Sequence, residues 1–317
     1  MKNIYSNIFP FNNKILNKTI KVLDKGNVAA LPTETVYGLA GNAYLRDSIR
    51  RIYKLKKRPE INPLIIHYHN INQIVGDVII NNSFKKLYLA LCPGPITFIL
   101  KKKIRSKIHP SACAKLKTVA IRFPKHKVVR SILKKIRYPL AMPSANISSN
   151  VSPVCAADVF DEFKNKISLI VDGGQSKIGI ESTVVDLTNK PKILRPGIID
   201  IKKIEKILKL KIQKNNKNFR IKSPGMLKKH YSPGIPVLIN QTKSDNKSAF
   251  IYLGDRHKKN KLFFSLSKNS NLKQAASNLY KVLRAIKKKS FKKIQICKIP
   301  HIGPGIAIND RIKRAAN

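Results

Sequence analysis

Five short polar stretches interrupt an apolar background, and each carries groups that could hold a small anion. Pro32-Thr33-Glu34-Thr35-Val36-Tyr37-Gly38-Leu39 gathers hydroxyls, a carboxylate and a glycine directly after an apolar run, where backbone can approach a small polar ligand. Lys56-Lys57-Arg58-Pro59 places three cations at the end of a helical pattern, with Asn62 and His67 soon after. The helix dipole alone also favours cations there, and a histidine in an apolar strand is equally a satisfied core residue. Thr118-Val119-Ala120-Ile121-Arg122 ends on an arginine with no acid nearby in sequence, so its planar fork asks for an anionic partner such as a ligand carboxylate or phosphate. Pro143-Ser144-Ala145-Asn146, with Ser148 and Ser152, offers neutral donors to phosphate oxygens, although Ser and Asn also cap helices and close turns. The fifth stretch joins Glu181-Ser182-Thr183 to Arg195-Pro196-Gly197.

Other chemistries lack their residues. There is no G-x-x-x-x-G-K-[ST] or G-x-G-x-x-G phosphate cradle and no H-E-x-x-H. No G-x-S-x-G elbow is present, and no carboxylate pair suggests glycoside hydrolysis. Cys92, Cys113, Cys155 and Cys297 form no C-x-x-C pair, which argues against a zinc site or disulfide framework and fits a reducing compartment.

The elements that must position these stretches follow from periodicity and punctuation. Helices are predicted over 13–25 (stopped by Gly26), 46–57 (ended by Pro59), 128–136 and 201–210. Short apolar runs at 27–31, 63–68, 96–100, 119–123, 139–142, 168–171, 182–187 and 192–194 read as strands. Their irregular alternation predicts an α/β fold with a mixed, twisted sheet over residues 1–207. A Lys/Asn-rich run then suggests a linker, taken as 208–234. Strands at 236–239, 249–253 and 293–296, a helix over 272–288 and a short final helix predict a second, smaller open α/β (Rossmann-like) domain over 235–317.

Lys and Arg number 64 against 16 acids, a formal charge of +48. Such a surface attracts polyanions. The excess is mostly Lys accompanied by Ile and Asn, which A/T-rich codons also supply, and neither zinc-finger spacing nor an aromatic RNA-recognition signature is present. No apolar run approaches the ~20 residues of a membrane span. The first 23 residues carry no acid but lack the Arg and Ser of a transit peptide. The expectation is a soluble, cytoplasmic protein.

Taken in order, the stretches resemble the YrdC family of threonylcarbamoyl-AMP synthases. Its K-x-R and S-x-N elements stand as Lys56/Arg58 and Ser144/Asn146. Pro32–Leu39, the P-G-P-x-T of Pro93–Thr97, the V-A-I-R-x-P of Val119–Pro124 and the E-S-T-V of Glu181–Val184 also match. His230-Tyr231-Ser232-Pro233 and the run Gly305–Arg311 resemble the long form with a C-terminal domain, so the likeness covers nearly the whole chain. It departs at Cys92, where an aromatic often precedes P-G-P-x-T, and at Ser149, where a glycine is usual.

The resemblance implies that L-threonine, bicarbonate and ATP are condensed to threonylcarbamoyl-AMP and pyrophosphate, with magnesium carried by ATP. The product would pass to a tRNA threonylcarbamoyl-transferase complex. By matching positions, threonine is expected near Thr35, His67, Arg122, Met142 and Ser182. ATP is expected at Lys56, Arg58, Asn62, Thr118, Ser144, Asn146, Ser152 and Arg195, with Tyr231 reaching in from the linker as a lid. Lys56 and Arg58 are the expected catalytic pair, stabilising charge on the transferred phosphoryl group. All substrates are anionic, so cations and preorganised donors suit the task and a covalent nucleophile is unnecessary. The alternative raised by the charge is a non-catalytic RNA-binding or ribosome-associated module with weak affinity for double-stranded RNA or tRNA. A hydrogenase-maturation carbamoyl-transfer enzyme would need zinc-finger-like and acylphosphatase-like regions that this chain lacks.

Overall fold

Asn12 starts the first helix by accepting the Ile15 N–H, and Gly26 at φ +72° turns the chain after its end. In the computed structural model, which describes residues 6–212, 230–255 and 260–316, the elements follow in order. They are β1 (Ile8–Pro10), α1 (Asn13–Asp24), β2 (Ala29–Leu31), β3 (Gly38–Asn42), α2 (Arg46–Lys56), β4 (Ile65–His67), α3 (Asn82–Leu91) and β5 (Ile96–Lys101). Next come β6 (Thr118–Arg122), α4 (Lys127–Lys135), β7 (Leu140–Ala141), α5 (Ala156–Phe163), β8 (Ile170–Asp172), β9 (Thr183–Asp186), β10 (Lys192–Arg195) and α6 (Ile201–Leu208). The expected linker falls mostly on 213–229, outside the described residues.

These strands form one ten-stranded mixed sheet in the order β1-β8-β2-β3-β7-β4-β6-β5-β9-β10. Alternate residues divide between its faces, as a period of two requires. Ala30, Leu39, Ile66, Phe98 and Ile121 join a core with α2, α3, α5 and α6. Ala29, Leu31, Ala40 and Leu140 pack instead against α1 and α4. Each fully buried Leu, Ile or Phe among them stabilises the fold by about 2 kcal/mol.

The sequence reading did not anticipate β1, β3, α3 or α5. The β3 sequence, Gly38-Leu39-Ala40-Gly41-Asn42, has no β-branched residue and two glycines, the opposite of a strand signal. Its glycines are required by close packing: a Cβ on Gly38 would lie 2.4 Å from Met142 Cγ.

The second sheet comprises β11 (Val237–Gln241), β12 (Ala249–Tyr252), β13 (Phe263–Ser265) and β14 (Ile294–Cys297), with α7 (Leu272–Lys288) and α8 (Pro304–Ala316). It is open and parallel throughout, in the order β11-β14-β12-β13. In chain succession this reads 3-2-4-1, which differs from the 3-2-1-4 run of the dinucleotide-binding fold. No helix among the described residues is long and apolar enough to cross a membrane.

Candidate active site

Register across the first sheet builds one wall of a cleft. His67 of β4 pairs with Arg122 of β6, and Arg122 with Thr97 of β5, so three polar residues share a row on neighbouring strands. The loop between β2 and β3 crosses the end of that row. Thr33 Oγ1 folds it by accepting the Thr35 and Val36 N–H groups at 3.1 and 3.2 Å and donating to Val36 O at 2.6 Å. Arg122 then reaches the loop: Nη1 donates to Thr35 Oγ1 at 2.9 Å and Nη2 to Glu34 Oε1 at 2.8 Å. The acid partner that Arg122 lacks in local sequence is therefore Glu34, brought in by the fold. Arg122 Nε has no partner among the described residues. Burial pushes Glu34 towards protonation, but the Arg122 charge, the Arg122 hydrogen bond and backbone N–H donors together hold the carboxyl below its ordinary value. His67 Nδ1 contacts Ile65 O at 3.2 Å, and burial with the Arg122 charge holds the ring well below its usual range, hence neutral.

The K-x-R and S-x-N motifs meet through their backbones. Lys57 takes a left-handed turn (φ 47°) that ends α2 and folds Arg58 back. Arg58 Nε donates to Asn62 O at 2.9 Å, and Nη2 to Asn62 Oδ1 at 2.6 Å and Pro63 O at 2.9 Å. Lys56 Nζ donates to Ser144 O and Asn146 O, both at 2.5 Å. Its ammonium thus closes onto the loop 144–146, and burial followed by the Arg58 charge favours its neutral form. Arg195 Nε and Nη2 donate to Ser182 O and Oγ, each at 3.1 Å, and Ser182 Oγ contacts Thr97 Oγ1 at 2.8 Å. Gly197 permits this approach, since a Cβ there would sit 2.4 Å from Thr183 N.

The third side comes from residues 230–232, at the end of the expected linker. Ser232 N–H donates to Ser149 O at 2.7 Å and His230 N–H to Arg314 O at 3.2 Å, which holds Tyr231 in the cleft. The Tyr231 ring is buried and its hydroxyl has no partner among the described residues. Burial, followed by the charges of Arg58, Lys56 and Arg195 against that of Glu181, pulls His230 down to about 3. Burial also pushes Glu181 up, but Arg311 and then Arg195 override it and hold the carboxyl at about 2.

Of the predicted residues, Thr35, Arg58, His67, Arg122, Met142, Ser144, Arg195 and Tyr231 line this cleft. Lys56, Asn62, Asn146, Ser152 and Ser182 are buried in contact with it rather than facing it. Thr118 stands at the opposite end of β6 from Arg122, about 13 Å along the strand. Sequence reasoning passed over Thr33, Glu181 and His230 as lining residues, and Glu34 as the partner of Arg122. The scarcity of acids was the available signal: in a chain with only 16, a carboxylate inside an anion-binding motif calls for explanation. The arrangement presents three buried arginines to one small space, which suits a ligand or ligand pair carrying several negative charges.

Two family models match most of the chain. The one for Sua5, YciO and YrdC, described as "Telomere recombination", matches residues 21–197. The other, described as "Threonylcarbamoyl-AMP synthase, C-terminal domain", matches residues 199–317. The threonylcarbamoyl-AMP synthase of Pyrococcus abyssi is 33% identical over 315 residues, covering 92% of this chain and 91% of its own. That of Bacillus subtilis is 33% identical over 323 residues, covering 93% and 91%. The crystal structure of P. abyssi Sua5 complexed with L-threonine matches with a TM-score of 0.89 at 30% identity, covering 98% of this chain and 97% of that one. The chain therefore belongs to the Sua5/YciO/YrdC family, in the form that carries the C-terminal domain of threonylcarbamoyl-AMP synthases.

Proposed function

We propose that this enzyme condenses L-threonine, bicarbonate and ATP into threonylcarbamoyl-AMP and pyrophosphate, the activated donor for N6-threonylcarbamoyladenosine in tRNA. The carrying observation is the convergence of Arg58, Arg122 and Arg195 on one cleft in a chain that matches a threonine-complexed relative over nearly its full length. The threonine amine takes up bicarbonate as a carbamate with loss of water. The carbamate oxygen then attacks the α-phosphorus of ATP and pyrophosphate leaves. Nothing in this sequence needs a protein nucleophile; it needs like charges held together in line.

Threonine's carboxylate belongs at the Arg122–Thr35 end, where the buried Arg122 Nε has no hydrogen-bond partner among the described residues. His67, Met142 and Ser182 enclose that end. ATP belongs at the end formed by Arg58, Ser144, Arg195 and Tyr231. Arg58 is the group that meets the developing charge, rigidly aimed by Asn62. Lys56 acts one step behind it, fixing the carbonyls of Ser144 and Asn146 so that the S-x-N loop presents its donors. Ser152 and Asn146 support the same end through Glu181 and the loop 147–150. Magnesium enters with the nucleotide and shields its phosphates. Residues 1–207 then form the catalytic domain, 208–234 the linker and lid, and 235–317 the smaller domain. The product passes to a tRNA threonylcarbamoyl-transferase in the cytoplasm.

The test mixes purified protein with L-threonine, bicarbonate, ATP and magnesium and follows pyrophosphate. Release that needs both threonine and bicarbonate supports the reading; ATP hydrolysis indifferent to threonine sinks it.

A further inference from the structure

Glu181 stands on the wall of the nucleotide end, yet most of what holds it comes from the C-terminal domain. Its Oε1 accepts from Ser152 Oγ at 2.6 Å. Its Oε2 accepts from the Tyr280 hydroxyl and from Arg311 Nε, both at 2.9 Å. Tyr280 lies on α7 and Arg311 on α8, and both are buried. The same two side chains grip Tyr231. The rings of Tyr231 and Tyr280 stack with centroids 5.7 Å apart, and the Arg311 guanidinium lies 5.2 Å from the Tyr231 ring. Arg311 is itself anchored by Asp310, to which Nη1 donates at 2.6 Å.

We propose that Arg311 and Tyr280 are positioning residues for nucleotide binding, acting through Glu181 and Tyr231. A bare carboxylate on the wall of a triphosphate site repels its ligand, or draws the neighbouring Arg195 onto itself. Arg311 matches the charge of Glu181 from behind, while Tyr280 and Ser152 occupy its lone pairs. Arg58 then keeps its charge for the substrate, and Tyr231 is clamped as the side of the same space. The polar groups of the threonine end, Glu34, Thr35, His67 and Arg122, all belong to the first sheet and its loop, and what that loop shares with the C-terminal domain is the apolar packing of Val36. The C-terminal domain thereby completes one half of the site only.

This inference rests on the cleft taking ATP and threonine, and the experiment separates the two claims. Titration calorimetry on the full chain measures L-threonine and α,β-methylene-ATP, each alone. Arg311→Met is expected to weaken the nucleotide analogue about ten-fold, with threonine affinity unchanged within about two-fold because the polar contacts of Arg311 and Tyr280 go to Glu181 and Asp310 and to no residue of the threonine end. Tyr280→Phe removes one hydrogen bond and no charge, and is expected to weaken the analogue about three-fold. The double variant Arg311→Met/Glu181→Gln leaves no uncompensated carboxylate and is expected to return to within about three-fold of wild type. A merely structural role would weaken both ligands together and would not be rescued. That outcome, or unchanged analogue affinity in Arg311→Met and Tyr280→Phe, overturns the inference while the proposed function stands. A wild-type chain that binds neither ligand overturns both.

Discussion

The proposed threonine end and the proposed nucleotide end are each organised around a buried arginine–carboxylate pair, but the pairs face opposite ways. Arg122 meets Glu34 at 2.8 Å within one domain, and the cation stands on the cleft wall with the acid behind it. Arg311 meets Glu181 at 2.9 Å across two domains, and there the acid stands on the wall with the cation behind it. The first pair aims a positive charge at the substrate, whereas the second conceals a negative charge from it. Both sit where solvent is excluded, so deleting one partner strands a charge, which is more damaging than deleting both. In a chain with 64 basic and 16 acidic residues, these two acids serve to orient and balance cations rather than to bind substrate.

The largest effect should come from breaking the first pair. Arg122→Met is expected to lower threonine-dependent pyrophosphate release by about a thousand-fold, the loss typical of removing a preorganised charged donor. It should also destabilise the fold by about 3–5 kcal/mol, because Glu34 is left buried and unpaired. Glu34→Gln/Arg122→Met should regain most of the stability and none of the activity, since in the proposed site Arg122 touches substrate itself. The Arg311–Glu181 pair should behave differently and recover function in its double variant. Equal recovery of activity in both double variants would erase the distinction between the two ends.

The second end was the harder one to read from sequence, for a physical reason. The strands carrying Arg122 and His67 are short apolar runs, and each of these residues closes its own strand, so the row they form was legible residue by residue. Glu34 was quoted within its motif, but its pairing with Arg122 depends on the loop between β2 and β3 meeting β6, 88 residues away. Lys56 was read as a cation aimed at phosphate, whereas its ammonium is taken up by the carbonyls of Ser144 and Asn146. Backbone acceptors have no sequence signature. Tyr280 and Arg311 lie on amphipathic helices of a separate sheet, 99 and 130 residues from Glu181, where a buried polar residue looks like any other core-facing position. The large α/β architecture was visible because periodicity survives without knowledge of partners. The glycine-built β3 was not, because close packing against Met142 replaced β-propensity as its cause.

Acid sensitivity offers a smaller and more specific handle on the nucleotide end. His230 is held down to about 3 from an ordinary 6.5, first by burial. Its folded pKa lies below the unfolded one, so its contribution to stability is intact above pH 6.5 and is lost as pH falls towards 3. Between pH 7 and pH 5 this single ring should remove about 2 kcal/mol. Glu181 adds nothing there: held at about 2 against an ordinary 4.5, it loses its contribution only as pH falls below 4.5. Urea unfolding at the two pH values, in wild type and in His230→Leu, isolates the effect. The variant should lose about 2 kcal/mol less over this interval than wild type does. An equal decline in both would mean that His230 titrates normally and that the segment holding it is open to water.

The smallest effect concerns the other anchor of that segment. Ser149, at a position where the family usually has glycine, adopts φ 72°, and its carbonyl accepts the Ser232 N–H at 2.7 Å. A left-handed backbone costs a non-glycine residue about 1–2 kcal/mol, while glycine loosens the unfolded chain and gives back about 0.5–1 of that gain. Ser149→Gly should therefore stabilise the protein by about 0.5–1 kcal/mol, a rise of about 2 °C in Tm for a chain of this size. Because the carbonyl stays in place, affinity for the nucleotide analogue should hold within about two-fold. A loss of affinity with the gain in stability would mean that the serine side chain, and not the backbone turn, ties Tyr231 to the cleft. The nucleotide end would then depend on the catalytic domain as much as on Arg311 and Tyr280.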